Sequence, residues 1–242
     1  MKSFFTALGF LTSIPSPVRG PSGMEDLGKA AVWFPLIGAL IGSLVALIYV
    51  GLAMFLPVPV CAVLSVGVWI YLTGGLHLDG LSDSFDGLFN SSSPERRLEI
   101  MKDPHLGVFG AVGLILMILL KISALTALSV TSIWLAVPLA ASAARVLLLW
   151  AARQPMARSD GLGASFKPEL NALGMLLSVV LPLGLALLSG WRGLAALVLG
   201  SLCAAVIFRW ARVRLGGLTG DVFGLMVETV EVVILLVFVV HL

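Results

Sequence analysis

Three aspartates in eight residues, Asp79, Asp83 and Asp86, form the densest concentration of chemistry in this chain, within the stretch Leu76 to Leu88. At about 100° per residue, a helix sets them within roughly 60° of one another along about two turns. Three like charges on one stripe repel and need a neutralising partner. A divalent cation is the usual one, and Mg²⁺ prefers carboxylate oxygens while leaving room for substrate phosphates. The plain alternative is a solvated helix face just outside a membrane. Gly80 and Gly87 remove side chains beside the acids, admitting phosphate-sized groups or another helix. Asp221 is the remote partner: it opens a helix after three glycines, where an aspartate can also act merely as a cap.

Carboxylates, a divalent metal and scattered cations suit phosphoryl-group transfer. The metal neutralises a diphosphate and a free carboxylate deprotonates the attacking hydroxyl. Cations are available in Arg96, Arg97, Lys102, Arg153, Arg158, Lys167, Arg212 and Arg214, each of which taken alone reads as a solvated charge. His77 adjoins the stripe and is a candidate substrate contact; as a lone histidine it reads as supporting a helix break rather than ligating metal. Acyl transfer has no support, since there is no G-x-S-x-G and no Cys–His arrangement. No Walker A motif or dinucleotide fingerprint occurs either.

The elements that position the stripe are membrane spans. Hydrophobic residues make up 59% of 242 positions and charged residues 12%, so the chain is a polytopic membrane protein in contact with a lipid bilayer. A net charge of +2, with no basic run, gives no reason to expect a nucleic-acid partner. Cys61 and Cys203 lie in apolar segments and offer neither a disulfide framework nor a metal site. Apolar windows predict seven spans, at about 30–56, 60–73, 107–128, 133–152, 170–188, 193–210 and 222 to the C-terminus. The expected fold is therefore all-α, one helical bundle over 1–242, with Gly74-Gly75 breaking or bending the second span into the acidic stripe. A short helix at the membrane interface is expected near the N-terminus, and Ser91-Ser92-Ser93-Pro94-Glu95 reads as a helix start.

With seven spans, segments 1–29, 78–106, 153–169 and 209–220 share one side and hold 12 of the 15 Lys and Arg residues. That asymmetry predicts a cytoplasmic N-terminus and a cytoplasm-facing acidic site. Four charges fall inside spans. Lys121 is expected to snorkel outward. Arg145 and Glu228 either pair with each other or line the inner wall of a cavity, with Arg145 reaching a phosphate; Glu231 has no assigned role. Gly38-xxx-Gly42 and Gly216-xxx-Gly220-xxx-Gly224 can serve packing within the chain or in a homo-oligomer.

Residues 10–15 (FLTSIP), 73–87 (TGGLHLDGLSDSFDG), 96–103 (RRLEIMKD), 106–110 (LGVFG) and 216–221 (GGLTGD) together resemble the cobalamin synthase family, the adenosylcobinamide-GDP ribazoletransferases. These landmarks run through nearly the whole chain in the family's order. Asp83-x-x-Asp86-Gly87 is also similar to the start of the CDP-alcohol phosphotransferase signature, whose remaining parts are absent.

The resemblance implies a reaction of adenosylcobinamide-GDP with α-ribazole or α-ribazole 5′-phosphate. It would give adenosylcobalamin or its 5′-phosphate and GMP, with Mg²⁺, at the bacterial inner membrane. On that reading Asp79, Asp83, Asp86 and Asp221 hold the metal, and one of the four, by preference Asp86 or Asp221, takes the hydroxyl proton. Arg96, Arg97 and Lys102 balance nucleotide charge, and Asp103 is a further ligand or base. The competing expectations are a lipid-directed CDP-alcohol phosphotransferase and a small-molecule transporter. Transporters place their ionisable sites near the midplane between repeats, whereas these acids cluster at one edge.

Overall fold

The structure is a computed structural model that describes residues 2–16, 24–160, 166 and 169–240. Its described part is a bundle of helices. Helix α1 (Lys2–Leu11) and α2 (Met24–Ala30) precede a 3₁₀ turn, Ala31–Trp33, that runs on into α3 (Phe34–Leu52). Then follow α4 (Val58–Thr73), α5 (Leu76–Phe89), α6 (Pro94–Ile100), α7 (Val108–Ala127) and α8 (Val130–Ala151). Helices α9 (Ala172–Leu188), α10 (Gly190–Leu215) and α11 (Gly220–Val239) complete it. Among the described residues, five stretches are long and apolar enough to cross a membrane: Asp26–Leu52, α7, α8, α10 and α11. The bent pair α4–α5 would make a sixth, and the 17-residue α9 is apolar but shorter, so the expected seven is approximate.

Helices α8 and α11 are buried along most of their length, while α7 and α10 expose most of theirs. Leu176, Val180, Val198, Leu202 and Val206 lie on such outward surfaces, which is the arrangement lipid permits, since tails are as apolar as leucine. Inside, close approach replaces bulk. Gly42 of α3 meets the backbone of α8, where an added Cβ would stand 2.6 Å from Pro138 Cα. The Gly38-xxx-Gly42 face is thus used within the chain.

Two features turn this bundle into a frame for the acids. Gly74 and Gly75 both have positive φ, 62° and 69°, a conformation that side-chain-bearing residues avoid. They turn α5 by 93° from α4, so α5 leaves the span and runs across the end of the bundle. The N-terminal segment fastens the elbow: Ser13 donates from its N–H to Leu72 O at 2.8 Å and from its hydroxyl to Tyr71 O at 2.6 Å. The far end of α5 is held by two arginines, both donating to its terminal carbonyls. Arg214 Nη2 reaches Leu88 O at 2.8 Å, and Arg97 Nε reaches Asn90 O at 3.0 Å.

The charges inside the spans pair differently from expectation. Lys121 does not snorkel: it is 4% exposed, donates to both Glu228 and Glu231 at 2.6 Å, and sits 4.6 Å from the Trp69 ring centre. Arg145 is fully buried and its partner is Glu231, not Glu228. Two cations and two anions therefore close into one neutral cluster, which is how a membrane interior tolerates them. Hydropathy could place these residues in spans but could not rank partners on three different helices.

Candidate functional site

The acids come together because two glycines let two backbones touch. A Cβ on Gly80 of α5 would lie 2.9 Å from Asp221 O, and one on Gly224 of α11 would lie 2.6 Å from His77 O. Gly80 thus admits a helix, as does Gly87, against which Met101 and the Arg97 carbonyl pack. The crossing brings Asp221 toward Asp79 and Asp83. Asp221 is not the cap of α11. Thr219 fills that position, its hydroxyl accepting from Val222 N–H at 3.3 Å, which leaves the Asp221 carboxylate for other work. That carboxylate accepts from Arg158 Nη2 at 2.9 Å and from the Thr219 hydroxyl at 3.1 Å.

Asp83 has no hydrogen-bond partner among the described residues and experiences the strongest crowding. Burial first, then the negative charges of Asp221, Asp79 and Asp86, push its carboxyl up to about 7, with Arg158 opposing. Asp86 is occupied: its two oxygens accept from Gly107 N–H and Gly110 N–H, both at 2.9 Å. It caps the first turn of α7, whose own N-cap, Gly107, has no side chain to do so. Among the described residues no three His, Cys, Asp or Glu groups are gathered at metal-ligand spacing. The donor set nevertheless fits Mg²⁺, which binds through one or two carboxylates plus substrate phosphates and keeps several waters. The excess of like charge around Asp83 is what such a cation would relieve.

A cavity of ≈ 190 Å³ adjoins these groups, lined by His77, Asp79, Arg158, Asp160, Thr219 and Asp221 together with Phe10, Leu148, Met156, Phe166 and Phe223. Segment 153–160 is fixed over it by a parallel bridge between Met156 and Leu218, with Ala157 N–H donating to Leu218 O at 2.7 Å. On the other side of Asp79, at the elbow, lies a wider hollow of ≈ 630 Å³ that shares Leu76 and Asp79 with the cavity.

With this geometry in place, comparison with known proteins is informative. The family described as cobalamin-5-phosphate synthase matches residues 3–239. The chain belongs to this family. Among its relatives is the adenosylcobinamide-GDP ribazoletransferase of Pseudomonas syringae pv. syringae strain B728a. It is 39% identical over 244 residues, covering 98% of each chain. The enzyme of the same name from Escherichia coli strain K12 is 36% identical over 248 residues, covering 97% of this chain and 98% of its own. No solved structure matches. The family resembled at the level of sequence motifs is thus the one shown.

The remaining candidate residues are spread out. Arg97 is 8% exposed and donates to Asn90 O and Arg214 O, so its guanidinium holds α5 to α10 instead of standing free for a nucleotide. Arg96 pairs with Glu99 on the exposed face of α6. Lys102 reaches Asp160 on the cavity wall at 2.6 Å. Asp103, on the surface, is held below the usual carboxylate range by hydrogen bonds from the His105 backbone and ring. His77 lines the cavity but is 5% exposed, and its Nε2 has no hydrogen-bond partner among the described residues. Arg145 does not reach the cavity lining, its guanidinium being engaged with Glu231 and Ala141 O. Lys167 lies outside the described residues.

Arg158 is the residue that the motifs did not single out. It was one of eight scattered cations, and only the fold shows it against Asp221. Its second terminal nitrogen, Nη1, is buried beside the cavity without a hydrogen-bond partner.

Proposed function

We propose that the protein is an adenosylcobinamide-GDP ribazoletransferase acting in cobalamin synthesis at the cytoplasmic face of a bacterial inner membrane. The acceptor is α-ribazole or its 5′-phosphate. Its ribose hydroxyl oxygen bonds to the corrinoid-side phosphorus of the diphosphate, the bond from that phosphorus to the GMP oxygen breaks, and GMP leaves with the electron pair. The observation that carries this reading is the approach of Asp221, on α11, to Asp79 and Asp83, on α5, beside Arg158, in a member of this family.

Asp79 and Asp221, both on the cavity wall, would hold Mg²⁺ on the diphosphate, and the chemistry it supplies when bound is neutralisation of phosphate charge. Arg158 turns its unpartnered Nη1 to a phosphate oxygen. Asp83, with no hydrogen bond to give up and a carboxyl near neutrality, accepts the hydroxyl proton, since a general base works best with a pKa close to the working pH. Asp86 orients the stripe through α7 and is spared both tasks.

The test is incubation of purified protein with adenosylcobinamide-GDP, α-ribazole 5′-phosphate and Mg²⁺, following GMP release and the corrinoid product. Asp83→Asn should abolish transfer while the protein remains folded in detergent. Near-normal turnover in that variant would remove the assigned base, and no transfer by the wild type would remove the function.

A further inference from the structure

The two hollows that meet at Asp79 differ in size and character. The enclosed one, ≈ 190 Å³, falls below the ~300–1,000 Å³ of sites that take drug-sized ligands whole. A corrinoid carrying a nucleoside diphosphate cannot enter it whole; a small heterocycle and its sugar can. The hollow at the elbow is wider, ≈ 630 Å³. A transfer between two substrates needs two sites that share the reacting position, and these share Asp79.

The wall of the enclosed cavity says which substrate it takes. Phe10 of α1 and Phe166 both line it, and both stack on Phe34 of α3, which is fully buried behind them. The Phe10–Phe34 and Phe34–Phe166 ring pairs lie at 15° to each other, with centres 5.7 and 5.4 Å apart. Three near-parallel rings drawn from separate parts of the chain make a preset flat wall, and Met156 and Leu148 extend the apolar surface. The polar lining is His77, Asp79, Arg158, Asp160, Thr219 and Asp221; of these, Asp79, Arg158 and Asp221 belong to the phosphate and sugar chemistry, and the face made by Phe10 and Phe166 is free of polar groups. A guanine base presents several donors and acceptors along its edges, and burying these unmatched against phenyl rings is costly. A flat bicyclic base with mostly hydrocarbon edges and a single ring-nitrogen acceptor loses far less there.

We infer that the enclosed cavity is the acceptor site, with the hydrogen-bond-poor, benzimidazole-type base of the nucleoside lying on Phe10 and Phe166 and its ribose directed to Asp79 and Asp221, next to Asp83. The GDP-activated donor stays outside this cavity except for its diphosphate, which meets the ribose at Asp79, Asp221 and Arg158. This assignment rests on the proposed ribazole transfer. It makes Phe10 and Phe166 specificity-determining residues.

Steady-state kinetics with each substrate varied in turn tests it. Phe10→Ala and Phe166→Ala should raise the acceptor KM about tenfold or more, as loss of base–aromatic stacking does elsewhere, and leave the donor KM in place. Phe10→Leu and Phe166→Leu keep the apolar bulk for folding and should show the same direction. With wild-type protein, a benzimidazole riboside should compete with the acceptor, and guanosine should not. A donor KM that moves while the acceptor KM stays, or guanosine competing as well as the benzimidazole riboside, overturns the assignment. Either result leaves ribazole transfer standing, whereas a wild type that transfers nothing removes the function itself.

Discussion

Gly80 on α5 and Asp221 on α11 stand backbone to backbone, with room for a hydrogen and nothing larger: a Cβ would lie 2.9 Å from Asp221 O and 3.0 Å from its Cα. The separation of the acids is therefore set by an absent methyl group. Gly80→Ala must push the two helices apart, and displacement by about 1 Å at a reacting site can cost about 10²-fold in rate. We expect a turnover loss of that order with the detergent melting temperature nearly retained. Gly67→Ala, on a helix position with open space around it, is the control and should stabilise by about 0.5–1 kcal/mol. Equal activity in the two variants would show that the crossing does not set the site.

Asp83 gives a pH dependence with a definite sign. Its carboxyl is raised to about 7 in the folded protein against about 4 when unfolded. Between those values the folded state holds a proton that the unfolded state has lost, so stability falls as pH rises through the window and levels off above it. Thermal unfolding in detergent with a chelator should show this slope. Mg²⁺ at pH 7–8 should recover the loss, because it neutralises the crowded carboxylates. Asp83→Asn should flatten the slope; an unchanged slope would assign it to other groups.

Asp86 and Asp83 should separate in their failures. Asp86 accepts two backbone N–H groups at the start of α7, and losing a cap of this kind costs about 1–2 kcal/mol. Asp86→Ala should lower both melting temperature and turnover, while Asp83→Asn lowers turnover alone. Thermal unfolding and GMP release, measured on the same preparations, distinguish the two.

Within the buried charge cluster, Glu231 pairs with both Lys121 and Arg145, whereas Glu228 pairs with Lys121 only. Removing one partner of a buried pair typically costs about 3–5 kcal/mol. Glu231→Leu should therefore destabilise more than Glu228→Leu, and replacing Glu228 and Lys121 together by apolar residues should cost less than either change alone. A reversed order in thermal unfolding would mean that the cluster is wired differently.

Much of the site was legible in the chain. Span lengths, the elbow at Gly74-Gly75, the acid stripe and Asp221 as its distant partner all follow from hydropathy, glycine pairs and like-charge spacing. Roles within the cluster were not legible, because they depend on what each side chain meets. Asp86 has the same spacing to Asp83 as a ligand would, yet it faces the first turn of α7. Arg97 sits beside Arg96 in one motif, but one of them clamps α5 and the other faces outward. Thr219 takes over the capping, and the Asp221 carboxylate turns to Arg158 instead. Phe10 and Phe166 are ordinary apolar residues in a 59% hydrophobic sequence until three rings line up.

The cluster of Lys121, Arg145, Glu228 and Glu231 also bears on how the chain is made. Its cations belong to α7 and α8, and its anions arrive only with α11, about a hundred residues later in synthesis. Until that last segment leaves the translocation machinery, the earlier helices carry positive charges with no counter-ion in the hydrocarbon. The same segment brings Asp221 to α5. Completion of charge balance and completion of the site are thus a single event, and a nascent chain that has not yet made α11 has neither.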